Sequence, residues 1–254
     1  MNFEEIKKKT EAFVKEELLT LAPWILNVKW EEKLTKLNEL REKVKSKGLW
    51  LPQIPKEYGG LGLTNAEHGE VSEILGGSPY GHYCFNCQAP DAGNMEILIE
   101  FGTDKQKETF LYPLLKGEIR SCFAMTEPDY AGSNPVQMGT IATKKNGNYL
   151  INGHKWFTSG FDGATFAIVM LVTDPKAKVP HQKASQVIVP TSSEGLEFVR
   201  NISIMGHPGG GWESHAEIKF NNVKVPLTNV LGGDGEGFTI AQKRLGPGRI
   251  HHCM

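Results

Sequence analysis

The chain has 254 residues, 39% of them hydrophobic and 22% charged, with a formal net charge of −1. That is ordinary globular composition with room for two domains, and it offers no global positive field to draw nucleic acid or an anionic membrane. No apolar run approaches the ~20 residues of a membrane helix, and the charged start from Met1 to Lys9 lacks the apolar core of a signal peptide.

Residues 1 to about 120 read as helical. Between Phe3 and Leu21 the apolar residues Ile6, Phe13, Val14, Leu18, Leu19 and Leu21 recur at roughly helical spacing among Lys and Glu, and Leu34, Leu37, Leu40 and Val44 repeat the pattern from Trp30 to Val44. Lys47 and Gly48 supply a basic last turn and a glycine stop. The stretch holding Pro52, Pro55, Gly59, Gly60 and Gly62 reads as an ordered loop. Thr64 with Glu67 forms a capping box ahead of the next helix. A further helical pattern covers Asp91 to Phe101, and Thr103 opens another helix that ends near Gly117.

The texture changes near Ser121. From Met138 to Val225 β-branched and aromatic runs alternate with turn signals: Gly139 to Lys144, Tyr149 to Thr158, Phe166 to Thr173, Ser185 to Val189 and His215 to Phe220. Asn146-Gly147 between the first two is the sharpest local signal, because a tight hairpin turn needs positive φ at both central positions. An antiparallel barrel or sandwich is expected. After the Gly232 to Gly237 loop, Phe238 to Leu245 reads as helix again.

Several patterns invite chemistry and have plainer explanations. Cys84-Phe85-Asn86-Cys87 has redox or half-zinc spacing, but no second pair accompanies it, and four cysteines fit a reducing, cytoplasmic setting better than a disulfide framework. Gly233, Gly235 and Gly237 make a GxGxG without the final GxxG spacing or the later acidic residue of a dinucleotide loop, so a flexible connection is expected. His251 and His252 are adjacent and diverge on a helix, a poor chelating pair. No metal site is expected.

The informative stretches are Phe123-Ala124-Met125-Thr126-Glu127-Pro128-Asp129-Tyr130-Ala131-Gly132-Ser133 and Ile151-Asn152-Gly153-His154-Lys155-Trp156-Phe157-Thr158. Each reads as a strand that delivers hydroxyls, backbone amides and aromatic surface to one place. A flat ring system with polar edges wants that mixture. Together they resemble the acyl-CoA dehydrogenase family, as do Gly48 to Gly62, with Ile54-Pro55-Lys56-Glu57-Tyr58-Gly59-Gly60-Leu61-Gly62, and the run from Phe101-Gly102-Thr103 to Gly117-Glu118. The likeness is closest to the subgroup of family members ten and eleven and their bacterial relatives, carried by Asn86-Cys87 with Ala89-Pro90-Asp91 and Gly93 to Glu96, by the extra residue in Thr126-Glu127-Pro128-Asp129-Tyr130-Ala131, and by Arg244 to Met254. Gly132 and Asn134 depart from that subgroup's usual Ser and Asp.

The resemblance implies an α+β chain: an N-terminal helical domain over 1–120, an antiparallel β-barrel flavin-facing domain over 121–232 and, over 233–254, the start of a truncated C-terminal helical domain. It implies FAD as cofactor and α,β-dehydrogenation of acyl-CoA thioesters, with an electron-transferring flavoprotein or similar acceptor and homo-oligomers when complete. Phe123, Met125, Thr126, Ser133, Trp156, Phe157 and Thr158 are the implied cofactor-binding residues, and Ser133 and Arg249 the implied substrate neighbours. The carboxylate base is expected in the absent part of the C-terminal domain, Gly248 standing where some members carry it. The alternative is a non-catalytic flavin or acyl-CoA binding module.

Overall fold

The structure is a computed structural model and describes residues 1–251. Two compact units emerge, Met1–Ala92 with the end of the C-terminal helix, and Gly93–Gly246.

The first unit is helical. α1 (Phe3–Phe13) starts on an Asn2/Glu5 capping box, widens into a π-helical turn at Val14–Leu18 and continues as α2 (Leu19–Ile25). The expected single helix is thus present with a wide turn in its middle and a few more residues at its end. α3 (Trp30–Ser46) buries Leu37, Leu40 and Val44, the stripe its spacing announces. It stops at Lys47 and Gly48, the latter at φ 68° where a side chain would be strained. α4 (Asn65–Leu75) opens on the expected Thr64/Glu67 capping box, and the short α5 (Gly81–Cys84) follows. Both CxxC thiols are buried. Burial pushes Cys84 up to about 12, against a smaller pull from Arg41, and raises Cys87 too, so neither is a ready thiolate.

α6 (Asp91–Phe101) leads to α7 (Asp104–Gln106), capped by Thr103, and through a π turn to α8 (Tyr112–Lys116), which Gly117 ends at φ 74°. The second unit then builds one sheet from β1 (Ser121–Ala124), β2 (Ile141–Lys145), β3 (Asn148–Ser159), β4 (Phe166–Val172), β5 (Ala184–Pro190), β6 (Leu196–Asn201), β7 (His215–Pro226) and β8 (Val230–Leu231). α9 (Gly237–His251) closes the described chain; the reading of the His251-His252 pair concerns side chains outside the described residues. Gln106 donates to the carbonyls of Thr228 and Val230, tying the helix end to the approach of β8.

The sheet order is β6-β7-β3-β2-β4-β5-β8, with β1 beside β4. Most neighbours are antiparallel, and Asn146 and Gly147 turn the β2–β3 hairpin at φ 50° and 75° as expected. The expectation of an antiparallel barrel is corrected on two counts. β1 runs parallel to β4 in the register Ser121↔Phe166, and β2 meets β4 in parallel at Ile141↔Val172, so the sheet is mixed. Its path ends at β6 and β8, which do not pair, so it is not a closed barrel. Composition marks a strand but not its direction: β1 reaches β4 only after the whole β2–β3 hairpin has intervened, a crossover that residue types do not announce. β4 itself, Phe-Ala-Ile-Val-Met-Leu-Val, is buried at all seven positions, the continuous apolar run of a strand covered on both faces. β6 is a strand that no sequence pattern announces: mostly exposed and at the sheet edge, it lacks an inward apolar alternation.

Candidate cofactor site

The two informative stretches meet where β1 ends beside β3. Thr126 donates its hydroxyl proton to the Trp156 carbonyl at 2.8 Å, and the Trp156 amide donates back to the Thr126 carbonyl at 3.1 Å. This two-bond bridge brings Phe123, Met125 and Thr126 alongside Trp156, Phe157 and Thr158. A few residues upstream, Gly153 lets β3 pass close to Thr140; a Cβ there would stand 2.5 Å from the Thr140 Cα.

A bulge shapes the β3 half of the site. The register with β7 slips between Lys155 and Thr158, and Phe157 sits at φ 49°, an unusual backbone for a residue of its size. Across the slip Lys155 and Thr158 are both buried, while Trp156 is partly buried and Phe157 exposed. Phe157 is 42% exposed and meets the partly buried Trp156 edge to face at 5.0 Å, whereas Thr158 is 0% exposed. The Thr158 hydroxyl has no protein partner, an expensive state for a buried hydroxyl. Phe123 is partly buried under the Arg244 guanidinium, 4.0 Å from its ring. Arg244 in turn donates to Asn94, which donates to Ser121 and to the Cys122 carbonyl and so holds α6 to β1.

Below this surface lies a buried ion pair. Glu127 Oε1 accepts from Lys155 Nζ at 2.7 Å and from the Thr140 amide at 2.9 Å; Oε2 accepts from the Gly139 amide at 2.6 Å. Lys155 also donates to the Met125 carbonyl at 2.7 Å. Burial would raise the Glu127 carboxyl, but the Lys155 charge and these hydrogen bonds outweigh it and hold it below its ordinary value. For Lys155 burial wins and brings the amine down to about 8. Beside Arg244, the Glu96 carboxyl is pushed up to about 7 by burial against the opposing guanidinium charge.

Six of the seven implied cofactor residues are therefore gathered here. Ser133 is exposed in the loop after the Thr126 corner, and Arg249 is exposed on α9 in the other unit. The loop encloses only about 10 Å³ between Met125, Tyr130, Asn134 and Met138, room for one water at most, so a ring would have to lie on the partly open aromatic surface. Glu127 and Lys155 received no role from the sequence; a charged residue beside each of the two hydroxyl-and-aromatic runs was the available signal. Asn94 and Arg244 entered the sequence reading only within the runs that carry the family resemblance, and nothing local gave either a place at β1, from which both are far along the chain. Among the described residues no group of three or more His, Cys, Asp or Glu side chains could hold a metal.

The match to known proteins follows the same segments. Residues 2–118 match the acyl-CoA dehydrogenase N-terminal domain, and residues 122–223 the acyl-CoA dehydrogenase middle domain. Mouse acyl-CoA dehydrogenase family member 10 is 47% identical over 86% of this chain and 21% of its own length. The Mycobacterium tuberculosis protein named probable acyl-CoA dehydrogenase FadE2 is 45% identical over 86% of this chain and 53% of its own. A solved acyl-CoA dehydrogenase-family structure from Mycobacterium abscessus superposes with a TM-score of 0.90 at 36% identity, covering 98% of this chain and 65% of that one. A chain from a structure described for the electron transferring flavoprotein of Acidaminococcus fermentans superposes with a TM-score of 0.76 at 28% identity, covering 98% of this chain and 62% of that one. The chain spans between about a fifth and about half of these curated relatives. It belongs to the acyl-CoA dehydrogenase family, whose N-terminal and middle domains it carries.

Proposed function

We propose that this chain is the flavin-facing part of an FAD-dependent acyl-CoA dehydrogenase, with the functional division near residues 120 and 232. The observation that carries the reading is the Thr158 hydroxyl, buried without a protein partner on β3, two residues after Trp156 and one after Phe157, at the β1–β3 junction. A native buried hydroxyl is normally satisfied, and one left over beside aromatic surface fits the polar edge of a bound ring. Phe123, Trp156 and Phe157 would cover the apolar faces of that ring. Thr158 has a free donor, while Thr126, its proton committed to Trp156, offers only acceptor capacity. Ser133, exposed in the neighbouring loop, would reach a phosphate or the acyl-CoA, and Arg249 the substrate.

FAD, when bound, supplies the hydride-accepting chemistry of the reaction. The protein's share is to orient ring and thioester and to keep water from them. The α-proton of a thioester is too weakly acidic for a carboxylate unless donors stabilise the developing enolate, so a base and a carbonyl-binding group must be fixed together. We assign the base to the part of the family's length that this chain does not span. An electron-transferring flavoprotein is proposed as the acceptor; one similar solved chain comes from a structure described for such a protein.

Flavin uptake tests the reading. The purified chain should show a protein-bound flavin spectrum on titration with FAD, and a chain extended to the length of its relatives should reduce an artificial acceptor with acyl-CoA at least about 10²-fold faster than this one, the usual scale of general-base catalysis. Free-flavin spectra throughout the titration would refute the cofactor assignment. Equal turnover of the two chains would place the base within residues 1–254.

A further inference from the structure

We infer that Glu127 and Lys155 are positioning residues of this site: their buried contact locks Thr126 against Trp156 and so sets the surface offered to the ring. The inference rests on the flavin reading for its purpose, but its geometry stands without any ligand. Three stretches of chain converge on the pair. Glu127 lies immediately after Thr126, Lys155 immediately before Trp156, and the carboxylate also takes the amides of Gly139 and Thr140 ahead of β2. Lys155 reaches back to the carbonyl of Met125, the residue preceding Thr126. Thr126 and Trp156 are each flanked by the knot, and their two mutual hydrogen bonds close it.

Side-chain exposure of 0% for Lys155 and 4% for Glu127 removes the pair from solvent, and every oxygen of the carboxylate is used. Such a pair adds little net stability over apolar side chains of the same volume, because dehydrating two charges offsets their attraction. What it does supply is directional: a carboxylate accepting from three donors fixes the backbone that presents those donors, which an apolar plug cannot do. The Phe157 bulge needs such support. Its left-handed backbone follows one residue after Trp156, and the knot holds the strand just before it.

The test compares the native full chain with Glu127→Gln, Lys155→Met and the double variant, reading amide exchange at Trp156 against that at Val169 and Val187 in the β4–β5 ladder. FAD titration of each protein is the second reading. Each single variant should speed exchange at Trp156 by about tenfold or more relative to the β4–β5 amides and weaken flavin binding by a similar factor. Should the single variants fail to fold, the double variant decides, since it leaves no unpaired buried charge. It should recover the native melting temperature while exchange at Trp156 stays fast and flavin stays weak. Recovery of native exchange and affinity along with stability would overturn the inference, as would loosening of Trp156 only in step with the whole sheet. A native chain that takes up no flavin counts against the flavin reading, and the exchange measurement still decides the positioning role.

Discussion

Replacing Thr158 with valine should move two properties of this chain in opposite directions. The exchange puts a methyl where the hydroxyl was, at nearly constant volume in a strand that favours β-branched residues. In the unliganded chain that hydroxyl is wholly buried and has no protein partner, so it carries a desolvation penalty of about 1–3 kcal/mol that valine relieves. At about 2–4 °C per kcal/mol for a unit of this size, the melting temperature of the flavin-free chain should rise by about 2–12 °C. If the hydroxyl donates to the bound ring, the same substitution removes a hydrogen bond of about 0.5–1.5 kcal/mol and weakens flavin about 2- to 13-fold. Thermal unfolding of the flavin-free chain and equilibrium titration with FAD measure the two. A variant less stable than the native chain would mean that the hydroxyl is already satisfied. Unchanged flavin affinity would show that Thr158 faces away from the ring, and the cofactor assignment would lose its main support.

Lys155 has a folded-state value of about 8 against an ordinary 10.5, so between these values the unfolded chain binds more protons and stability should rise with pH; urea midpoints across pH 8–10.5 should show this slope, and Lys155→Met should abolish it. Glu127 is held below its ordinary value, so its contribution is present above about pH 4.5 and is lost as pH falls through the folded value; acid unfolding of Glu127→Gln should lack that component. Glu96 behaves oppositely: raised to about 7, it binds its proton more tightly in the folded chain, so stability should fall from about pH 4.5 to 7, and Glu96→Gln should flatten that decline. Gly153→Ala would drive a methyl against Thr140 and should cost about 1–3 kcal/mol, read as a lower urea midpoint; an unchanged midpoint would show that the β2–β3 approach can open without penalty.

Local physics made much of this chain legible from residue order alone. Capping at Thr64 and Thr103, the buried stripe of Leu37, Leu40 and Val44, and the Asn146-Gly147 turn each depend on neighbours within a few residues, so spacing and residue type suffice to place them. The residues of the β1–β3 junction were legible as a group for a related reason: Phe123 to Thr126 and Trp156 to Thr158 are two short runs whose mixture of aromatic and hydroxyl groups survives in the sequence. Their arrangement was not. The parallel pairing of β1 with β4 joins residues more than forty apart, and no local preference selects direction across such a gap. The Phe157 bulge reverses which face Thr158 occupies, because one inserted residue shifts a two-residue period by half. The Glu127–Lys155 pair and the Arg244 guanidinium over Phe123 exist only once distant segments have packed, since two charges can stay buried only where each finds its partners.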